Sequence, residues 1–409
     1  MKNTPKIGNV QLMQKINRAR VFEYIRQNAN TTRPAIAADT GLSLSSITNI
    51  VTYLLDKGLV AEKALESAGH VGRKASLLGV NDAKYRIACI SIEVDDVRAT
   101  CVDLCGNVVY EHPVDTCHYH GSSAVDMIVS RLEELIEKGG GESVVAIGVA
   151  IPGMVLNGGR KIFSVGLKWN GFDLKSLLSE KFGRSVFIQN SSIARAMWVL
   201  SEIRRGQSEL PSAPNAVFLD LQQGIGAVQF TNNRINPWMI GEFGHLTVDP
   251  NGSPCTCGNI GCLEQMCSPE KAVSDAKTAI ENGKCRILAK LITGKNEITF
   301  ADICAASDAG DADAADILRT IGQYLGIGIT NVINTLHPTI LYFNGHTLLR
   351  SKLVFHSAVE WVAEHAMKEL VSDVIYQPVP FEEYSALVGI TEYAQDKLFD
   401  IDSKHCIID

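Results

Sequence analysis

The sequence predicts an α/β protein in which a small N-terminal winged helix-turn-helix precedes a two-lobed body. Three observations carry this reading. Charge divides sharply along the chain, the first 80 residues hold three closely spaced helix patterns, and strand–helix alternation then begins and restarts. A length of 409 residues, with 46% apolar and 20% charged residues, suits two or three domains with a large core and excludes a disordered chain. No apolar run reaches the roughly 18–20 residues of a membrane span. The start, Met1-Lys2-Asn3-Thr4-Pro5, lacks the apolar core of a secretory signal. A soluble, cytoplasmic protein is expected.

The formal charge of −7 conceals a contrast. Residues 1–80 carry eleven Lys and Arg against five Asp and Glu, a net of +6, and the remainder carries −13. This is the pattern of a basic module on an acidic body, although an ordinary solvated face gives the same count.

Within the first 80 residues, Ile16, Val21, Phe22 and Ile25 mark one face of a first helix. Thr32 can cap a second, with Pro34 in its first turn and Gly41 past its end. Ser43 can cap a third running to about Lys57, stopped by Gly58. Its inward stripe is Ile47, Ile50, Val51, Leu54 and Leu55. Its other face carries Ser45, Ser46, Thr48, Asn49 and Thr52, short polar groups with no carboxylate until Asp56. A helix entering the major groove needs such a face, because small donors and acceptors approach base edges and carboxylates repel phosphate. Two strands, 59–62 and 75–80, would form a wing whose tip holds Arg73 and Lys74. Arg73 can enter a minor groove or meet phosphates, and Arg33 and Lys74 add basic flanks. Double-stranded DNA is the expected partner of residues 1–82. A plain three-helix module that binds protein is the alternative.

From about Lys84 the period becomes that of strands: 85–94, 97–104 and 107–114, then a helix near 123–138 and a strand at 144–151 ending in Pro152-Gly153. A helix near 174–182 and a strand at 186–189 follow. The order restarts with strands at 216–221 and 225–230, a long helical region, and a buried strand at 339–343. Two related lobes are expected, 83–193 completed by a C-terminal helix within 386–409, and 194–385, with a ligand in the cleft between them.

His245, Cys255, Cys257 and Cys262 lie within eighteen residues. Three thiolates and one imidazole make the closed tetrahedral set of a structural zinc site, one Zn2+ per chain, and Gly252, Gly258 and Gly261 permit the tight turns. A disulfide or plain buried thiols are the alternatives, and disulfides are rare in the cytosol. Glu242 and Glu264 flank the set, where they can accept hydrogen bonds from hydroxyls. His245 can bind metal through one nitrogen and donate through the other. Surface carboxylates beside a metal would show the same spacing.

Gly241-Glu242-Phe243-Gly244-His245 followed by Cys255-Thr256-Cys257-Gly258-Asn259-Ile260-Gly261-Cys262-Leu263-Glu264 closely resembles the signature of the ROK family of repressors and sugar kinases. The resemblance covers nearly the whole chain, including the winged helix-turn-helix that the family's repressors have and its kinases lack. It is strongest to the repressor branch, such as the repressors of xylose operons and the glucose regulon. It implies an actin-like (ribonuclease H-like) sugar-kinase-type body, a zinc loop and a sugar site between lobes.

The resemblance also implies what is missing. Family kinases bring Asp-Ile-Gly-Gly-Thr to the ATP phosphates, where this chain has Ser91-Ile92-Glu93-Val94-Asp95, without glycines and with two repelling carboxylates. A second phosphate segment, Gly-Thr-Gly-Ile-Gly, is half kept as Gln222-Gln223-Gly224-Ile225-Gly226, and an adenosine-side Gly-Gly becomes Asn344-Gly345-His346. The catalytic base, the Asp of Asn-Asp-Ala, is replaced in Gln189-Asn190-Ser191-Ser192, and a lone Ser is no base near neutral pH. Pro152, Gly153, Asn190, Glu242, His245 and Glu264 match the family's sugar-contacting positions. The expectation is a non-enzymatic repressor of carbohydrate uptake or catabolism genes, a homodimer or homotetramer on a palindromic operator. A sugar or sugar phosphate, or a protein such as a sugar-transporter component, would control it. An active ATP-dependent sugar kinase carrying a DNA-binding domain is the alternative.

Overall fold

The computed structural model describes residues 10–64, 76–93, 96–206, 209–222, 224–345, 348–401, 403 and 405–408. Its first elements are helices α1 (Val10–Gln27), α2 (Arg33–Thr40) and α3 (Leu44–Asp56) and strands β1 (Val60–Ala64) and β2 (Ser76–Val80). Local chemistry sets each boundary. The Thr32 side chain accepts the Ala35 N–H, Gly41 turns the chain at φ 70°, and Ser43 accepts the Ser46 N–H. Val21, Phe22, Ile25, Ile36, Ile47, Val51, Leu54, Leu59 and Leu78 are fully or almost fully buried and form the core of this module. Ile50 and Leu55 are only partly buried, and Ile16, expected to face inward, is 37% exposed. At about 100° per residue Ile16 stands about 120–180° around α1 from Val21, Phe22 and Ile25, on the face away from the buried stripe. β1 and β2 pair antiparallel, Val60 opposite Val80, and Thr31 adds a bridge to Leu78. The tip with Arg73 and Lys74 lies outside the described residues.

The chain forms two compact units, Met1–Ala194 with Ala386–Asp409, and Arg195–Ser385. Beyond the helical module, the first unit contains β3 (Arg86–Ile92), β4 (Val97–Asp103), β5 (Val108–Asp115), α4 (Ser122–Lys138) and β6 (Val144–Ile151). Then come β7 (Met154–Leu156), β8 (Lys161–Ser164), β9 (Trp169–Phe172), α5 (Leu174–Phe182) and β10 (Ser185–Asn190). The five-stranded sheet runs β10-β6-β3-β4-β5, with β3, β4 and β5 antiparallel and β6 and β10 parallel to β3. β7, β8 and β9 make a separate small sheet. Met127, Ile128, Leu132 and Leu135 of α4 pack against Ala88, Ile90 and Cys101 of the large sheet.

The C-terminal helix, Ser385–Phe399, completes this unit. Ile390 lies over Gly148, and a Cβ on Gly389 would stand 1.6 Å from the Ala194 carbonyl oxygen. Its far end reaches α1. The Phe399 and Phe22 rings are 4.5 Å apart, and Arg26 stands 3.9 Å from Glu392 and 3.8 Å from Asp396. The base of α3 is tied down separately, since Lys84 and Tyr85 both donate to the Lys57 carbonyl.

Helix α6 (Ser191–Arg205) leads into the second unit. There follow β11 (Asn215–Leu221), β12 (Ile225–Thr231), β13 (Arg234–Gly241), α7 (Leu263–Met266), α8 (Pro269–Glu281), α9 (Arg286–Leu291), α10 (Phe300–Asp308) and α11 (Ala312–Leu336). The unit ends with β14 (Ile340–Asn344), α12 (Lys352–His365), α13 (Lys368–Val371) and β15 (Ile375–Pro378). The sheet order β13-β12-β11-β14-β15 repeats the scheme of the first unit: three antiparallel strands, then two parallel ones. The sequence reading named neither β13 nor β15. Pro237 inside β13 argues against a strand, and it is tolerated because β13 is an edge.

Replacing Gly389 by Ala forces a methyl group into the Ala194 carbonyl. The expected loss is about 3 kcal/mol in urea unfolding, and an unchanged midpoint would show that the two helices do not meet there.

Candidate functional site

The second unit gathers the His–Cys set. One ligand atom each from His245, Cys255, Cys257 and Cys262 lies within 4.8 Å of the others. His245 Nδ1 is 3.6 Å from Cys255 Sγ, and Cys257 Sγ is 3.6 Å from Cys262 Sγ. A tetrahedron with metal–sulfur bonds of about 2.3 Å has edges of about 3.8 Å, so these donors fit one small cation. Nδ1 faces the cluster, which leaves Nε2 as the second ring donor of His245. The loop folds for local reasons. Val248 N–H bonds the Gly261 carbonyl, Cys255 N–H bonds Asn259 O, and Gly261, at φ 66°, passes so close to Asp249 that a Cβ would lie 1.5 Å from its oxygen. Asn259 donates to Cys262 Sγ at 3.4 Å, a hydrogen bond that favours a thiolate. The Asn259 backbone also lowers the Cys257 thiol, whereas burial pushes Cys262 up to about 12. A bound cation would displace that proton.

Two residues beyond Cys262, Glu264 is held by backbone. Its Oε2 accepts the Ile225 N–H at 2.9 Å. A Cβ on Gly224 or Gly244 would come within 2.8 or 3.0 Å of the same oxygen. Gly244 therefore gives β12 and Glu264 room to meet, a role that its place in the sequence does not reveal. Glu242 is exposed, yet the surrounding protein raises its carboxyl pKa, with His245 opposing and Glu264 adding to the rise.

In the first unit, Asn190 holds two segments at once. Its Nδ2 donates to the Gly153 carbonyl at 2.7 Å, and its Oδ1 accepts the Ser192 and Ile193 N–H groups at the start of α6. Gly153, at φ 106°, passes within 2.4 Å (from a built Cβ) of the Phe163 carbonyl, and Pro152 lines a small cavity of about 80 Å³ with Glu93, His118 and His120. Ser191 is buried with its hydroxyl 3.4 Å from the Ile92 carbonyl. Glu93 N–H closes on the Asp96 carbonyl at 2.8 Å, and Asp96 pairs with Arg98. Of the residues expected from the sequence to meet a sugar, Pro152, Gly153 and Asn190 belong to the first unit and Glu242, His245 and Glu264 to the second.

The sequence reading missed a buried network. Arg195 Nε donates to Asp220 Oδ2 and Asn344 Nδ2 to Asp220 Oδ1, each at 2.9 Å, with all three residues buried. The signal was present in Phe218-Leu219-Asp220-Leu221, since a carboxylate in an apolar strand requires a partner. On α3, Ser45, Ser46, Thr48, Asn49 and Thr52 are all exposed. Arg33 pairs with Glu62 at 2.8 Å, and bonds from Ser76 and Arg33 hold that carboxyl below its usual range.

The ROK family model matches residues 87–397. The chain belongs to the ROK family. It is 26% identical over 406 residues to the xylose repressor of Bacillus subtilis (strain 168), covering 97% of this chain and 99% of that one. It is also 26% identical over 377 residues to the DNA-binding transcriptional dual regulator NagC of Escherichia coli (strain K12), covering 89% and 88%. Among solved structures, a ROK family transcriptional regulator, a homolog of the E. coli MLC protein, superposes with a TM-score of 0.76 at 24% identity, over 94% of this chain and 96% of that one. A ROK family glucokinase from Streptomyces griseus, in complex with glucose and AMPPNP, gives 0.60 at 22% identity, over 76% and 99%. These structures establish the fold, a helical module on an actin-like sugar-kinase body.

Asn190→Ala removes a helix cap and the tie to Gly153 together, and is expected to lower stability by about 2 kcal/mol in urea unfolding. Asn190→Asp keeps the capping oxygen and should lose less. Equal losses would contradict the dual role.

Proposed function

We propose that the protein is a cytoplasmic DNA-binding repressor of carbohydrate uptake or catabolism genes. The observation that carries this reading is the exposed, uncharged polar face of α3 on a basic module, residues 1–82, tied to a kinase-type body. The match to repressors runs through this module as well as the body, and the family model begins only at residue 87.

The body supplies control. Residues 83–193 with 386–409 form one lobe and 194–385 the other. Pro152, Gly153 and Asn190 in one unit, and separately Glu242, His245 and Glu264 in the other, match the family's sugar-contacting positions and carry donors and acceptors suited to sugar hydroxyls. The effector is a sugar or sugar phosphate. The site does not transfer phosphate, because Ser191 stands where family kinases have their base and Glu93 where their phosphate cradle begins. A structural Zn2+, one per chain, closes the His245, Cys255, Cys257 and Cys262 set, two residues before Glu264. No described helix is long and apolar enough to cross a membrane. A homodimer or homotetramer would present paired heads to a palindromic operator, and a sugar-transporter component would be a second means of control.

Selection from a random duplex pool by the full chain should enrich a palindromic site, bound with an affinity that falls steeply with salt. Failure to enrich any site would contradict the reading. Metal analysis should find about one zinc per chain, and chelation should lower the melting temperature of the folded protein. Metal-free protein with the same melting temperature would remove the zinc assignment.

A further inference from the structure

The face of α3 is not equally free to read bases. Ser45 and Ser46 bond the Ser43 hydroxyl at 3.0 and 2.8 Å, within the helix cap. Thr48 donates its hydroxyl proton to the Leu44 carbonyl at 2.8 Å, and Thr52 donates to the Thr48 carbonyl at 2.9 Å. Asn49 lies between them in sequence and is exposed. Among the described residues, its carboxamide bonds to nothing. α3 itself, Leu-Ser-Ser-Ile-Thr-Asn-Ile-Val-Thr-Tyr-Leu-Leu-Asp, contains no Arg or Lys.

These facts constrain what the helix can recognise. Guanine shows two acceptors in the major groove and is read by a side chain with two donors, an Arg or Lys. α3 has neither. Adenine shows an acceptor, N7, beside a donor, the N6 amino group. A carboxamide presents the complementary pair and can bond both at once. A carboxamide set against guanine would place its oxygen against an acceptor, and cytosine offers only a donor. With their hydroxyl protons turned back to the helix, Thr48 and Thr52 present methyl groups, which suit the thymine C5-methyl.

We propose that Asn49 is the main base-reading residue of α3 and recognises an adenine through N6 and N7, with thymine methyls contacted by Thr48 and Thr52 on either side. This rests on the reading of α3 as the helix that enters the major groove. It adds the identity of the base and the side chain that reads it. Asn49 is exposed and unpartnered, and Ala is the better helix former, so Asn49→Ala should fold normally with an unchanged melting temperature.

The test uses the full chain and the duplex it enriches from a random pool. Each adenine of the half-site is replaced in turn by 7-deazaadenine, which removes the N7 acceptor and preserves pairing. Wild-type protein should lose about tenfold or more in affinity at one adenine per half-site. Asn49→Ala should lose a similar factor on the natural duplex and nothing further at that same adenine, because the two changes remove one interaction. Its salt dependence should match wild type, since Asn49 touches no phosphate. If wild type enriches no site, the groove reading and this assignment fall together. If it enriches a site and Asn49→Ala weakens every duplex equally, or 7-deazaadenine and Asn49→Ala effects add at every position, only the assignment to Asn49 is overturned.

Discussion

Close backbone contact between two helices, with no room for a methyl group, is the constraint on which the first unit depends. Gly389 of the C-terminal helix rests against the Ala194 carbonyl of α6, and Gly148 lets the same helix settle on the sheet. A contact this tight makes the two helices move together, because a packed interface shifts between arrangements rather than stretching. At its far end the C-terminal helix meets α1, with Phe399 against Phe22 and Glu392 and Asp396 near Arg26. At the other end of α6, Asn190 caps the helix and holds Gly153. Asn190 and Gly153 are thus joined to the N-terminal helical module by packing within one unit.

A different constraint organises the second unit. Four ligand atoms must converge on one point, and the turns that bring them there also place Glu264 against the Ile225 N–H. A carboxylate fixed by a backbone N–H presents its other oxygen in a set direction. The His–Cys set and the carboxylate are therefore neighbours in one turn, with Glu264 tied to β12 through Ile225.

Local signals made much of this legible in the sequence. Thr32, Gly41 and Ser43 act within one turn of themselves, so the helices of the N-terminal module end where their caps stand. α5 starts and stops at the expected residues, and the four His and Cys side chains singled out by their spacing do converge. What escaped depends on the partner rather than the residue. β13 carries Pro237 and is a strand only because it lies at the sheet edge, and the short strands β7, β8 and β9 carry too few residues to show a period. Ile16 is apolar but lies on the opposite face of α1 from Val21, Phe22 and Ile25, so its phase on the helix and not its residue type decides its exposure. Gly244, Gly261 and Gly389 look like ordinary glycines until the opposing carbonyl or carboxylate is seen. The Arg195, Asp220 and Asn344 network joins positions 25 and 124 residues apart, beyond the reach of any local pattern.

Under the proposed function, occupancy of the kinase-type site is read out as DNA affinity instead of chemistry. The most direct measurement is the operator affinity of the full chain, by fluorescence anisotropy at fixed salt, across a panel of sugars and sugar phosphates with ATP present. The account predicts that at least one of them shifts the affinity about tenfold, a coupling of roughly 1.4 kcal/mol, with no release of ADP. Operator affinity unmoved by every sugar, together with sugar-dependent ADP release, would contradict it.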